Sequence, residues 1–200
     1  QEQLDASSLK SFEHYLKLME SETRRISRIT SNLLSFSRGS KLQFQSVDIN
    51  RILEDLLLIN NNFFKVNNIE VDKSLQSDLP YITGDEEQLK QVFMNLITNA
   101  VEAMEDQNNG KLTVSTQREN HHLDITFEDT GPGISKEYKE QVLDPFFSTK
   151  TKGKGVGLGM SVAYGIVQQH CGSLYINPKE DTQTTIKILL PLKQPQTKYE

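Results

Sequence analysis

The sequence predicts an α+β domain preceded by a long bundle-forming helix. Residues 9–38 contain neither proline nor glycine, and apolar side chains recur among them at alternating steps of three and four. Residues 85–106 carry a second apolar helical pattern, with amides and a carboxylate on another face. Residues 111–117, 122–128 and 184–190 alternate apolar and polar side chains, as half-buried strands do. Helices and strands therefore both contribute to the expected fold.

Composition narrows the function classes. A chain of 200 residues with 36% hydrophobic content suits one medium domain, or one domain with a small helical appendage. The net charge of -5, without a long basic run, disfavours nucleic-acid binding. The single Cys171 excludes an internal disulfide and suits a reducing compartment. No stretch approaches the ~18–20 apolar residues of a membrane span, and no signal-peptide pattern opens the chain. None of the histidines has metal-ligand spacing.

The apolar face of residues 9–38 is wider than a two-stranded coiled coil needs and fits a helical bundle. One helix cannot bury such a face alone, so it needs partner helices from another subunit or from a missing part of the same chain. The alternative is that this helix packs on its own C-terminal domain. Gly39 ends the helix.

The segment that follows leads to the central helix. Residues 41–47 are expected to form a short extended link, and Asp48 caps a helix that runs to about Phe64. Residues 69–73 are expected to form a strand, and Asp85 is placed to cap the helix over 85–106.

A polar face of this central helix predicts a pocket wall. Gln91, Asn95, Asn99 and Glu102 recur at helical spacing, although asparagine is a modest helix former. Amide carbonyls are hard oxygen ligands, suited to a magnesium ion that also carries phosphates. The alternative is an ordinary solvated face.

A carboxylate at the end of the strand over 122–128 is a second candidate. Period-two alternation places Asp129 on the inward face, where a carboxylate is costly unless a donor meets it. Gly131 and Gly133 allow a sharp turn and the close approach of a flat ligand. Asp129 is therefore a candidate acceptor for an exocyclic amino group such as that of adenine. The alternative is a carboxylate that caps a turn.

A short helix is expected over 134–143, and a glycine- and lysine-rich stretch follows it. Residues 144–160 (DPFFSTKTKGKGVGLGM) lead into an apolar helix, and such a loop presents N–H groups and a positive dipole end to phosphate. The stretch is long enough to form a lid anchored by Phe146 and Phe147. The alternative is a surface loop without function. Neither a P-loop nor a Rossmann fingerprint fits this stretch, and the remaining chain predicts a hairpin of 173–176 with 184–190.

In order and spacing, these motifs resemble the catalytic and ATP-binding part of sensor histidine kinases. Residues 95–100 (NLITNA) resemble the N box of that family, and residues 129–133 (DTGPG) resemble its G1 box. Pro145-Phe146-Phe147 resembles the F box, and residues 155–159 (GVGLG) resemble the G2 box. The resemblance covers nearly the whole chain.

The resemblance implies a Bergerat-type (GHKL) α/β sandwich, with a mixed sheet in one layer and three helices in the other. Residues 41–200 would form the catalytic ATP-binding kinase domain, with the sandwich itself over 44–192. Residues 1–40 are similar to the second helix of the dimerisation and histidine-phosphotransfer hairpin, and so would form a partial hairpin domain.

ATP and Mg²⁺ are the cofactors that the resemblance implies. Asn99 would hold Mg²⁺, while Asn95 beside the γ-phosphate and Lys150 would be catalytic. Asp129 would accept the adenine amino group. The other residues implied to contact nucleotide are Glu102, Gly131, Gly133, Ile134, Phe147, Thr149, Lys152, Lys154, Gly155, Val156, Gly157, Leu158, Gly159 and Thr184.

The implied reaction transfers the γ-phosphoryl group of Mg-ATP to a histidine, for relay to the receiver domain of a response regulator. The implied assembly is a homodimer through the helical hairpin, in the cytoplasm, with or without a membrane anchor in the parent protein. The family's acceptor motif, a histidine followed by an acidic residue, is not found, and His14 is followed by Tyr15-Leu16-Lys17. Either the sequence begins between the two hairpin helices, or the protein is a natural kinase-like protein without an acceptor.

Two further classes compete with this interpretation. Gyrase-, Hsp90- and mismatch-repair-type ATPases share the fold. They resemble one another in carrying a glutamate that activates water, at the position where this chain has Asn95. An amide cannot accept a proton from water, so ATP hydrolysis is disfavoured. Glu102 is a conceivable substitute base. The other class is a non-enzymatic nucleotide sensor, in which loss of Asn99 or Asp129 would be expected. Gln183-Thr184 stands where many kinases carry Gly-Thr.

Overall fold

A computed structural model describes residues 11–12, 14–16, 19–20, 22–23, 42–105, 107, 109–139, 141–148, 157–179 and 183–193. The chain divides into two compact units, residues 1–40 and 41–200. In the first unit the described residues are helical, and four of its large apolar side chains are exposed: Phe12, Tyr15, Leu16 and Met19. The rest of the helix expected over 9–38 lies outside the described residues. No described helix is both long enough and apolar enough to cross a membrane.

The second unit alternates helices and strands. In chain order its elements are β1 (Gln45–Val47), α1 (Ile49–Ile59), α2 (Asn61–Val66), β2 (Ile69–Leu75), β3 (Ile82–Gly84), α3 (Glu86–Ala103), β4 (Gly110–Glu119), β5 (His122–Asp129), two 3₁₀ turns (Lys136–Tyr138 and Gln141–Leu143), α4 (Gly159–Gln169), β6 (Ser173–Lys179) and β7 (Gln183–Pro191).

The main sheet has five strands in the order β2-β4-β5-β7-β6. The β2–β4 pair is parallel, whereas β4–β5, β5–β7 and β6–β7 are antiparallel, which confirms the mixed sheet. β1 and β3 form a separate antiparallel pair, so the end of the expected link over 41–47 is a short strand.

The core lies between the helices and one face of the main sheet. Apolar side chains of α1, α3 and α4 pack with the inward residues of β4, β5 and β7 in one buried cluster. The rings of Phe93 on α3 and Phe127 on β5 lie 6.0 Å apart, centre to centre. Asp85 caps α3 as expected, because its Oδ1 accepts a hydrogen bond from the Gln88 N–H at 3.1 Å. The contact between Phe93 and Phe127 places α3 against β5, the strand that carries Asp129.

Two local expectations were wrong. The helix expected to run from Asp48 to about Phe64 is interrupted at Asn60, which separates α1 from α2. The Asn60 Nδ2 donates to the Leu56 carbonyl at 2.8 Å, and such side-chain bonds compete with helix continuation. The helix expected over 134–143 consists instead of two 3₁₀ turns.

Candidate functional site

Two asparagines of α3 face the beginning of α4. The Asn95 Nδ2 donates a hydrogen bond to the Gly159 carbonyl oxygen at 3.1 Å. A Cβ placed on Gly159 would lie 3.7 Å from Asn99 Nδ2 and 3.8 Å from Asn99 Oδ1. The first residue of α4 therefore lies against both amides, at the place where the two helices meet. Glu102 is half-buried further along α3.

The beginning of α4 also offers backbone donors. Leu158 precedes the helix without a side-chain cap, and its carbonyl accepts from the Val162 N–H and the Ser161 hydroxyl, both at 3.0 Å. The first N–H groups of any α-helix lack intrahelical acceptors, and the helix dipole makes that end positive. An anion next to Gly159 would meet both these donors and the asparagine amides.

Asp129 is a buried carboxylate at the end of β5. Its side chain is 6% exposed, and its oxygens accept hydrogen bonds from the Gly131 N–H at 2.9 Å and from the Thr184 hydroxyl. Burial is the largest cause that raises the pKa of Asp129, which stands at about 6. The two hydrogen bonds lower this pKa, and the neighbouring charge of Glu128 raises it further. The inward placement expected from strand alternation is thus observed, and the required donors are present.

Glycine at position 131 is a packing requirement. A Cβ there would lie 2.6 Å from Asp129 Oδ1 and 3.1 Å from Ala103 Cβ. The turn after β5 consequently presses against the C-terminal end of α3. Ala103 has no distinctive spacing in the sequence, so its place beside this turn becomes evident only in three dimensions. Gly133 has φ +78°, and Ile134 packs partly buried against the core.

Phe146 and Phe147 of the F box contact Gly157 of the G2 box. Phe146 adopts φ +68°, and its N–H donates to the Gly157 carbonyl at 2.9 Å. Gly157 has φ +69°, and a Cβ there would lie 2.3 Å from the Phe147 carbonyl oxygen. The Phe147 ring lies 5.6 Å from the ring of Tyr138, centre to centre. These contacts hold Gly157 against Phe146 and Phe147, and Phe147 against Tyr138.

The expected site residues fall into three groups. Asn95, Asn99 and Gly159 meet in one place; Asp129, Gly131 and Thr184 meet in a second; Phe147 and Gly157 meet in a third. Four further expected residues are described but belong to none of these groups: Glu102, Gly133, Ile134 and Leu158. The other expected contacts lie outside the described residues: Thr149, Lys150, Lys152, Lys154, Gly155 and Val156.

The arrangement matches a known family. Residues 84–194 match the family described as histidine kinase-, DNA gyrase B-, and HSP90-like ATPase. The chain belongs to this ATPase family. Its curated relatives include Sporulation kinase C of Bacillus subtilis, 34% identical over 90% of this chain and 41% of the relative. Sporulation kinase A of the same organism is 32% identical over 96% of this chain and 31% of the relative.

Solved structures of histidine kinases share the fold. The nucleotide-free catalytic domain of ThkA is 25% identical, with a TM-score of 0.68 over 76% of this chain and 97% of that one. Full-length ShkA in complex with AMPPNP has a TM-score of 0.78 at 19% identity, over 97% of this chain and 41% of that one. ThkA in complex with response regulator protein TrrA has a TM-score of 0.76 at 24% identity, over 95% of this chain and 53% of that one.

Within the ATPase family, the chain groups with the sensor histidine kinases, and its second unit is a histidine kinase-type ATPase domain. The predicted GHKL fold is confirmed. The chain spans less than half of the length of the two sporulation kinases, at 41% and 31%.

Proposed function

We propose that this chain is the ATP-binding catalytic region of a two-component sensor histidine kinase. In this proposal, residues 41–200 bind Mg-ATP and transfer its γ-phosphoryl group to a histidine, for relay to a response-regulator aspartate. The observation that carries the proposal is the meeting of Asn95 and Asn99 with Gly159. That contact joins an amide-lined wall to the positive end of a helix, which together suit a metal-bound polyphosphate.

The base would lie at the other end of the site. The Asp129 carboxylate is buried and already engaged by two donors, so it is fixed in orientation. It would accept a hydrogen bond from the adenine amino group, while Gly131, Gly133, Ile134 and Thr184 shape the surrounding wall. A guanine base would present a carbonyl oxygen where adenine presents the amino group, and two acceptors would then face each other.

Magnesium fits the residues present. Mg²⁺ favours oxygen ligands and usually combines one or two protein oxygens with waters and substrate phosphates. Asn99 offers an amide oxygen beside the beginning of α4, and the described residues contain no cluster of three or more His, Cys, Asp or Glu suited to a different metal. When bound, the ion would neutralise phosphate charge.

The residues of the chain itself would position the phosphates. Asn95 holds the first carbonyl of α4, and the N–H groups of Leu158 and Gly159 would face the nucleotide. Lys150 is proposed as the catalytic cation, with Lys152 and Lys154 as further phosphate contacts. Phosphoryl transfer depends mainly on positioning and charge neutralisation, so amides, lysines and helix N–H groups form a sufficient set.

The partners follow from the same family. The solved ThkA complex contains a response regulator protein, and we propose the receiver domain of such a regulator as the phosphate acceptor of the relay. The exposed apolar side chains in the helical part of residues 11–23 support homodimerisation through a helical hairpin in the full-length protein. The single cysteine suits a cytoplasmic location.

Calorimetric titration tests the proposal. ADP and the non-hydrolysable analogue AMPPNP are titrated into the whole chain with and without Mg²⁺, and ATP turnover is measured separately. We expect binding that depends on Mg²⁺ and negligible turnover, because an amide stands where water-activating family members carry glutamate. Absence of nucleotide binding would refute the proposal. Rapid ATP hydrolysis would favour the ATPase class, and the Glu102→Gln variant would then identify the base.

A further inference from the structure

His170 is a buried histidine that the proposed chemistry does not use. It follows α4 directly, and its side chain is 1% exposed. Its Nε2 lies 2.9 Å from the Asp85 backbone nitrogen, and its Nδ1 lies 2.8 Å from the Ile166 carbonyl oxygen. The Phe44 ring packs edge-on against the imidazole at 5.2 Å, centre to centre. The ring therefore connects the end of α4 with the start of α3.

These two contacts determine where the proton of the ring lies. A backbone N–H can only donate, so Nε2 must accept from Asp85. A carbonyl oxygen can only accept, so Nδ1 must carry a hydrogen and donate a hydrogen bond to the Ile166 carbonyl. The imidazole is thus neutral with its hydrogen on Nδ1, and burial lowers its pKa, which favours that neutral form.

Asp85 connects His170 to the helix that bears the asparagines. Its Oδ1 caps α3, and its Oδ2 accepts from the Gln43 N–H at 3.0 Å. The residue before it, Gly84, lies so close to the imidazole that a Cβ there would be 3.1 Å from His170 Cδ2. The start of α3 and the end of α4 consequently share one tightly packed junction.

The same two helices meet again near the nucleotide site. Asn95 on α3 binds the Gly159 carbonyl at the start of α4, so the helices run antiparallel, with a polar contact near each end of α4. From Gly159 to His170 is eleven residues, and from Asp85 to Asn95 is ten. At 1.5 Å per residue these segments measure roughly 16 and 15 Å, so both contacts fit only one register of α4 against α3.

We propose that His170 is a positioning residue for the nucleotide site, setting the register of α4 so that Gly159 stays against Asn95 and Asn99. This inference rests on the proposed nucleotide-binding function. An apolar residue of similar size would fill the space but would leave the Asp85 N–H without its acceptor, while the Ile166 carbonyl would keep only the backbone N–H of residue 170. α4 would then be free to shift along α3, and its first N–H groups would leave the asparagine wall.

The test compares three variants of the whole chain. In His170→Leu both hydrogen bonds are removed and the volume is approximately kept, whereas in His170→Gln one acceptor and one donor are retained. Phe64→Leu, at a buried position of α2, a helix that packs on β2 and α1, is the control for general destabilisation. Thermal midpoints and ADP affinities are measured for all three.

We expect His170→Leu to weaken ADP binding about tenfold. Leaving the buried Asp85 N–H unsatisfied would shift the equilibrium between the registers of α4 and α3 by roughly that factor. His170→Gln should restore much of the affinity. Phe64→Leu should lower the thermal midpoint while ADP affinity stays within about twofold, because α2 packs on β2 and α1 and distant sites behave independently. The proposal would be overturned if His170→Leu lowered the thermal midpoint but left ADP affinity at the wild-type value.

A second readout separates this inference from the proposed function. In nucleotide-free protein, ¹⁵N–¹H spectra report the Asn95 side-chain amide and the Gly159 backbone amide directly. We expect both resonances to move in His170→Leu and to return towards wild type in His170→Gln. If the wild-type chain bound no ADP, the proposed function would fail while this test of the helix register remained valid. Unchanged resonances in His170→Leu would refute the positioning role.

Discussion

Asp129 and Thr184 stand opposite each other on adjacent antiparallel strands, and the threonine hydroxyl donates a hydrogen bond to the buried carboxylate. The carboxylate nevertheless has a pKa raised to about 6, because the cost of burial exceeds the stabilisation by its two donors. A group that titrates so near neutrality makes stability dependent on pH, and it would make the proposed recognition of the nucleotide dependent on pH as well.

Adenine recognition should weaken in mild acid. The charged carboxylate is the better acceptor for an amino group, so ADP affinity should fall as the pH drops through about 6. Titrations of wild type and Asp129→Asn between about pH 5 and 8 check this, since the phosphates of ADP titrate equally in both. Asp129→Asn should bind ADP more weakly, and its ADP affinity should change with pH only slightly, through the titration of the phosphates. Parallel profiles for the two proteins would exclude Asp129 as the source of the pH dependence.

The same carboxylate should cost stability at neutral pH. The pKa of Asp129 is about 6 when folded and 3.8 in its ordinary state, so between these values the folded chain binds more protons than the unfolded chain. The contribution of Asp129 to the free energy of unfolding therefore falls as pH rises through this window. Asp129→Asn should raise that free energy at pH 7.5 by about 1–3 kcal/mol. Denaturant unfolding at about pH 4 and 7.5 measures it, and a less stable variant at pH 7.5 would contradict the expectation.

Asn99 should matter more for nucleotide than for folding. Asn99→Ala removes the proposed magnesium ligand from a half-buried position, so we expect at least a tenfold loss of Mg-dependent AMPPNP affinity with a change in stability of about 1 kcal/mol or less. Lys90→Ala, on the same helix and paired only with surface glutamates among its described contacts, is the matched control. If AMPPNP bound to Asn99→Ala with wild-type affinity, the magnesium assignment would be rejected.

Gly157 should tolerate no side chain. A Cβ there would lie 2.3 Å from the Phe147 carbonyl at φ +69°, so Gly157→Ala must displace the F-box backbone or the start of α4. We expect a loss of about 2 kcal/mol or more in stability and a strong loss of AMPPNP affinity. Gly165→Ala is the contrasting control, because nothing lies within 4 Å of its Cβ and alanine favours a helix interior by up to about 1 kcal/mol. Equal behaviour of the two variants would show that the strained turn is dispensable.

Local patterns predicted the elements well. The helical repeat of apolar residues fixed α3, and strand alternation placed Asp129 on the buried face, because both periodicities are set by backbone geometry. The interruption at Asn60 was missed, since its cause is one side-chain bond to Leu56 and not a change of hydrophobic period. The motifs of the resemblance located Asn95, Asn99 and Asp129, whose nucleotide roles stay predictions.

Long-range contacts were beyond such patterns. Ala103 meets Gly131 only because α3 crosses the end of β5, and no spacing in the sequence indicates that crossing. His170 lies 85 positions from Asp85, and a lone histidine after an apolar helix gives no sign of its partner. The proposed roles of Lys150, Lys152 and Lys154 also stay predictions, because these lysines lie outside the described residues.

The strand order has a consequence for synthesis on the ribosome. β7 is the last described strand to be made, yet it lies between β5 and β6 and carries Thr184. A nascent chain that has emerged only as far as β6 already contains Asn95, Asn99 and Gly159, but β6 still lacks its neighbour and Asp129 lacks its hydroxyl donor. The end of the proposed site that would recognise the base is therefore assembled after translation has passed β7. Tight adenine binding would consequently distinguish a completed domain from a growing one.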